Sequence, residues 1–197
     1  MKHNILKIGQ KKILEVGATL READIHGKIL YISDPAVDKL YGHIVRPQIE
    51  SVGQIKVDTV EQNTIRYAMS VAERMIATDV ECIVGMGGGR VLDVCKYAAF
   101  IAKKPFMSIP TTMANDGIAS PIAVLKREDN KPKSLGCAMP AMLILDTELI
   151  ATCPPALIKA GIGDTISNYM ALKDWDLAVS RGKEVMNGYA YMMSKTS

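Results

Sequence analysis

ECIVGMGGGRVLDVCKYAAFIAKKPFMSIPTTMANDGIASP, running from Glu81 to Pro121, is the stretch whose reading decides the fold. Cys82-Ile83-Val84 is a short apolar run that opens into Gly85-Met86-Gly87-Gly88-Gly89, and an amphipathic segment follows at once. A second apolar run, Phe106 to Ile109, ends in Pro110-Thr111-Thr112. The first junction reads as strand, tight glycine turn, helix. Adjacent glycines let a ligand approach the backbone N–H groups closely, and the helix N-terminus beyond adds partial positive charge. A phosphate or diphosphate is the natural guest, which points to a nucleotide-binding protein; the alternative is a tight structural turn.

Outward from this segment, the chain alternates. Lys28-Ile-Leu-Tyr-Ile-Ser33 is an apolar run between Gly27 and Asp34-Pro35 and reads as a buried strand. Asp58 with Glu61 three residues on has capping-box spacing, so a helix is expected to start there, with Val60, Ile65, Ala68, Met69, Ala72 and Ile76 near helical period. The Cys82–Val84 strand, a helix from about Arg90 to Ala102 and the Phe106–Ile109 strand follow. Strand and helix in alternation define an α/β fold with a parallel sheet. After Pro121, the runs Ile122–Leu125 and Met142–Leu145 flank a lysine-rich segment, 126–134, and a hairpin or two further strands would fit. From Pro154 the pattern is helical, with Leu157, Ile158, Ile162, Ile166, Met170, Leu172 and Trp175 forming an apolar stripe that has little to bury it. The expected division is therefore residues 1–153, an α/β nucleotide-binding domain, and 154–197, the beginning of a helical one.

Composition narrows the function classes. The 197 residues are 48% hydrophobic and 23% charged, with a net charge of +3. Lysines and arginines form no block longer than two, and aromatics are 5% of residues, so nucleic acid is not an expected partner. Cys82, Cys95, Cys137 and Cys153 show no CxxC spacing and read as reduced structural cysteines. No apolar run approaches a membrane span and the N-terminus lacks a signal-peptide core, so a cytoplasmic location is expected.

The glycine turn does not complete GxGxxG, because Arg90 stands at the last glycine position. In the common dinucleotide fold the ribose-binding acid follows the turn by about 20 residues. Here the best acid at a strand end, Asp34, precedes it, so the turn belongs to a different sheet order. Asp93 is expected on the first turn of the following helix, where the dipole favours an acid in any case. Thr111 and Thr112 lie past a strand end and could meet a cofactor or cap a turn. Asp116 and Asp164 each adjoin a glycine in an apolar context; a metal or polyhydroxylic ligand would partner them, and a helix N-cap is the alternative. The histidines, His3, His26 and His43, all lie upstream of the turn, and a catalytic zinc usually takes three protein ligands.

With these residues laid out, the chain resembles the iron-containing alcohol dehydrogenase and dehydroquinate-synthase-like superfamily. The superfamily signal is GGGRVLDVCK followed by PTTMAND. Asp116-Gly-Ile-Ala-Ser-Pro121, Ala160-Gly-Ile-Gly-Asp164-Thr-Ile-Ser-Asn168-Tyr and Asp174-Trp-Asp-Leu-Ala178 are more specific and resemble the glycerol-1-phosphate dehydrogenases within it. The resemblance implies that Asp34 meets the adenosine ribose, and that Gly87, Gly88, Gly89, Arg90, Val91, Leu92 and Asp93 cradle the diphosphate and nicotinamide ribose of NAD(H) or NADP(H). Thr111, Thr112 and Ser120 would complete that pocket. Asp116 would contact substrate, and Asp164 would touch substrate and bind a divalent metal, zinc or else nickel or iron. The implied reaction is reversible reduction of dihydroxyacetone phosphate to sn-glycerol 1-phosphate, a step of phospholipid metabolism, by a homo-oligomer in the full-length family. Glycerol dehydrogenases share the glycine turn and are the alternative, as is a non-catalytic nucleotide-binding remnant. Asn115 stands where the family commonly has histidine, which weakens a proton-relay role at that position. Family members continue into a helical domain that supplies two histidine ligands, so this stretch is expected to carry the cofactor half of a site and lack most of the metal half. Lys126, Arg127 and Lys173 are candidates for a phosphate pocket that sequence alone does not assign.

Overall fold

The computed structural model describes residues 4–196; His3 lies outside the described residues. Six parallel strands form the main sheet: β1 (Ile5–Gly9), β2 (Lys28–Ser33), β3 (Gln54–Thr59), β4 (Val80–Gly87), β5 (Phe106–Pro110) and β8 (Met142–Asp146), in the order β1-β8-β5-β4-β2-β3. Helices α1 (Val16–Glu22), α2 (Pro35–Glu50), α3 (Ile65–Ala77), α4 (Gly89–Ala102) and α5 (Thr147–Ala151) intervene. The architecture is the expected α/β parallel sheet with flanking helices.

The central strands are continuous apolar runs because both faces are covered, as crossover helices in a parallel sheet require. Alternate residues of β2 divide between two cores. Leu30 and Ile32 face a cluster with Ala68, Val71 and Met75 of α3 and Val91, Leu92 and Cys95 of α4. Ile29 and Tyr31 face a second cluster with Leu20 of α1 and Val45 and Ile49 of α2. Asp146 closes β8 from inside: its carboxylate, 2% exposed, accepts from Ile13 N, Glu148 N and Leu149 N.

Several expectations shift. Asp58 does not begin a helix. It lies in edge strand β3, beside β2, and its carboxylate accepts from Arg74 at 2.6 Å. The helix starts at Ile65, where Thr64 caps it by accepting from Tyr67 N. Its buried stripe is Ala68, Val71, Ala72 and Met75, while Met69 and Ile76 are exposed. The two apolar runs after Pro121 do not pair with each other, and a further strand is needed. β6 (Ile122–Lys126) and β7 (Pro132–Gly136) make an antiparallel hairpin of their own, whereas β8 returns to the main sheet between β1 and β5. The lysine-rich segment thus supplies a strand. Beyond it run α6 (Pro155–Ser180) and α7 (Gly188–Thr196), and of α6 only Leu172 is buried. All four cysteines are free, with Cys137 the one not buried; burial pushes the Cys82 and Cys95 thiols well up.

Candidate functional site: a crevice at the ends of β2, β4 and β5

Adjacent strands β2 and β4 are followed by helices on opposite faces of the sheet, α2 over one core and α4 over the other. The chain therefore parts at their carboxyl ends and leaves a crevice, the place where open α/β sheets bind ligands. Asp34 stands at the end of β2 and the three glycines at the end of β4.

Local chemistry holds these pieces in place. Asp34 is the N-cap of α2, its Oδ1 accepting from Ala36 N and Val37 N at 3.0 Å each. Its Oδ2 faces the glycine turn, 3.4 Å from where a Cβ on Gly87 would sit. Ser33 ties the two strand ends by donating to Met86 O at 2.8 Å. Gly87 admits no side chain: a Cβ there would lie 2.8 Å from Val91 Cγ2. Gly88 is the N-cap of α4 with no side-chain cap, so the helix opens on backbone alone, the feature an anion uses. Thr111 is buried and donates its N–H to Gly87 O at 3.0 Å, while Thr112 Oγ1 lies 3.5 Å from the Cβ position of Gly88. These residues make a cradle of the kind a nucleotide diphosphate fits.

Within the expected Gly87–Asp93 turn, only part faces the crevice. Arg90 is exposed, but the side chains of Val91 and Leu92 are each 1% exposed and belong to the core. Asp93 is not in the first turn of α4, because the helix begins at Gly89 and leaves it one turn in, beside Lys96. Burial pushes its carboxyl above the usual range, against the pull of the Lys96 ammonium 3.6 Å away.

Asp116 and Asp164 come together, 48 residues apart in sequence: Asp164 Oδ2 accepts from Asp116 N at 3.0 Å. Neither is a helix N-cap. Asn115 caps the 3-10 turn at Asp116–Ile118 by accepting from Gly117 N, and Asp164 lies inside α6. Asp116 is exposed rather than in an apolar setting, although Ile118 two residues on is buried in the core. Asn115 Nδ2 lies 3.9 Å from the Cβ position of Gly89, so this departure from the histidine pattern still reaches the turn. Ser120 Oγ makes two long bonds, to Gly117 O at 3.5 Å and Ile122 O at 3.4 Å. Gly161 lets α6 approach: a Cβ there would sit 1.9 Å from Met113 O. Cavities of about 300 and 480 Å³ lie between Asp116, α6 and α7, the larger lined by Lys173 and Lys195 among others. Lys126 and Arg127 instead line a groove against α3.

A metal fits less well. Among the described residues no group of three or more His, Cys, Asp or Glu side chains could hold an ion. His26 pairs with Asp24 at 3.1 Å, and Asp164 stands without such partners. No metal site is assembled from these residues. Among the described residues, no helix is long and apolar enough to cross a membrane.

Residues 7–154 match the family model of the iron-containing alcohol dehydrogenases, and the chain belongs to that family. Over its whole length it is 35% identical to a glycerol-1-phosphate dehydrogenase [NAD(P)+] of Hyperthermus butylicus, of which it spans 58%. It spans 48% of the corresponding protein of Aeropyrum pernix, again at 35% identity, with 86% of this chain covered. The fold is that of solved dehydrogenases: a glycerol dehydrogenase from Schizosaccharomyces pombe superposes with a TM-score of 0.70 at 19% identity, over 85% of this chain and 43% of that one. The chain thus spans about half the length of the curated relatives it matches.

Lys96, Ser33 and Gly161 stand out only in three dimensions. A lysine on the apolar side of an amphipathic helix was the one available signal among them.

Proposed function

We propose that this chain is the cofactor-binding part of an NAD(P)-dependent dehydrogenase that interconverts dihydroxyacetone phosphate and sn-glycerol 1-phosphate. The observation that carries the reading is the convergence of Asp34, the uncapped glycine turn and Thr111-Thr112 on one crevice, in a chain 35% identical to a glycerol-1-phosphate dehydrogenase over its full length. In this reading Asp34 Oδ2 accepts a hydroxyl of the adenosine ribose, which favours a free 2′-hydroxyl over a 2′-phosphate. The N–H groups of Gly88, Gly89 and Arg90 meet the diphosphate, and Val91 and Leu92 contribute main chain alone. Thr112 and Ser120 donate hydroxyls toward the nicotinamide side, Thr111 anchors the turn, and Asp93 borders the same side. The nicotinamide, when bound, supplies a hydride to the carbonyl carbon. Asp116 orients the substrate, and Asp164 is a candidate metal ligand that this stretch alone does not complete. We read 154–197 as the opening of a helical part that begins with α6.

By itself the 197-residue chain is expected to bind nucleotide and not to turn over. NADH should raise the melting temperature of the purified chain, with the rise lost in Asp34→Ala and in Gly88→Val. No shift with NADH or NADPH would sink the cofactor reading. Steady oxidation of NADH on adding zinc or nickel and dihydroxyacetone phosphate would overturn the expectation of no turnover.

A further inference from the structure

Lys96 is the least expected side chain in the molecule. It sits in the middle of α4 with 1% of its surface exposed, among Val94, Cys95, Ala98 and Ala99. Its ammonium has three oxygen partners: Gly117 O at 2.6 Å, Ile122 O at 2.7 Å and Asp93 Oδ1 at 3.6 Å. Burial pulls its proton affinity down, and Asp93 pulls it back up. An ammonium taken out of water is costly unless it is paired and fully hydrogen-bonded, and a methionine of similar length would fill the same space without that cost. The position therefore serves something other than packing.

The two carbonyls show what. Gly117 and Ile122 bracket the irregular segment between β5 and β6, which carries Ser120 and follows directly on Asp116. The segment's other polar ties run elsewhere: Ser120 Oγ bonds within it at 3.4 and 3.5 Å, Gly117 N donates to Asn115 Oδ1 at 2.9 Å, Asp116 N to Asp164 Oδ2 at 3.0 Å, and Pro121 O accepts from Cys137 N at 2.7 Å, and none of them reaches α4. Without the ammonium between them, the part-buried carbonyls of Gly117 and Ile122 would keep only the long contacts from Ser120 Oγ. The third partner, Asp93, is on α4 itself, so the same ammonium reaches the helix that leaves the glycine turn and the loop that faces it.

We propose that Lys96 is a positioning residue: its ammonium pins the 116–122 segment to α4, so that the two walls of the crevice keep one spacing. Its meaning for catalysis rests on the dehydrogenase reading above, whereas the tie itself does not require a cofactor. Hydrogen–deuterium exchange on the chain without nucleotide tests it. In Lys96→Met, exchange at 117–122 should accelerate by about tenfold or more while β4 and β5 stay protected. In Lys96→Cys alkylated with 2-bromoethylamine, which restores an ammonium at nearly the same reach, protection should return; the unsubstituted chain given the same treatment is the control. Unchanged protection at 117–122 in Lys96→Met, or no recovery on alkylation, overturns the proposal. Should Lys96→Met melt throughout, the wild-type chain labelled with ¹⁵N-lysine decides. A Lys96 ammonium signal shielded from solvent and coupled to the two carbonyls supports the tie, and exchange at the rate of surface lysines overturns it. A missing NADH thermal shift sinks the cofactor reading alone and leaves this result standing.

Discussion

Helices α4 and α6 start alike and end up in opposite surroundings. Both open without a side-chain cap and both are rich in apolar residues. Yet eight of the fourteen residues of α4 are buried, against one of the twenty-six of α6. On α4 even a lysine is enclosed; on α6 Ile162 and Ile166 stand 58% and 57% exposed. The difference lies in what each helix meets. α4 lies on a sheet whose face it must cover, while α6 meets the rest of the chain at the Met113–Asp116 loop and at α7, where Tyr191 donates to Asp176. The spacing of its apolar residues makes a helix amphipathic or not; only a facing surface makes it part of a core.

Substitutions can break or sharpen this contrast. The largest effect is expected in the α/β core: Ile83→Ala or Met75→Ala, both fully buried, should lower stability by about 2–5 kcal/mol in denaturant titration. Ile162→Ala and Ile166→Ala should cost less than about 0.5 kcal/mol, and a cost near that of the core pair would show that α6 is packed in solution. Asp146→Ala strips three N–H groups, two of them buried, of their acceptor and should cost about 2–3 kcal/mol, measured the same way. Asp34→Ala removes the cap of α2, for about 1 kcal/mol, along with the response to NADH. The smallest global effect belongs to Gly161→Ala. Its methyl would collide with Met113 O and lift α6, so limited proteolysis should cut 155–196 faster while the α/β melting transition barely moves.

Much of the fold was legible before any coordinates. The β2 strand runs from Lys28 to Ser33 as its apolar run reads, and the glycine turn, α4 and β5 fall where spacing puts them. These elements are buried on both sides, and burial writes continuous apolar runs into the sequence. Edge and hairpin strands leave a fainter trace. Gln-Ile-Lys-Val-Asp-Thr at 54–59 covers a half-exposed sheet edge, so its polar alternation was overshadowed by a capping-box match at Asp58. The rule that failed there is local: an acid three residues before a glutamate caps a helix only if the chain turns at that point, and here it continues in strand β3 beside β2. Asp93 was misplaced for a similar reason, since one residue's shift in the helix start moves an acid from the open N–H groups to a lysine.

Sequence by itself determined the parallel α/β class, the strand that ends in three glycines, the acid at the end of an earlier strand and the helical character beyond residue 154. Each is a local matter of period, glycine spacing and chain order, and each is carried in consecutive residues. Tertiary structure alone decided that β2 and β4 are neighbours, which brings Asp34 Oδ2 to the glycine turn. It also decided that Asp164 reaches Asp116 across 48 residues, that Gly161 is a contact point, and that Lys96 turns inward to two carbonyls. Such pairings depend on which surfaces the packed sheet and helices present to each other, and no local pattern encodes that.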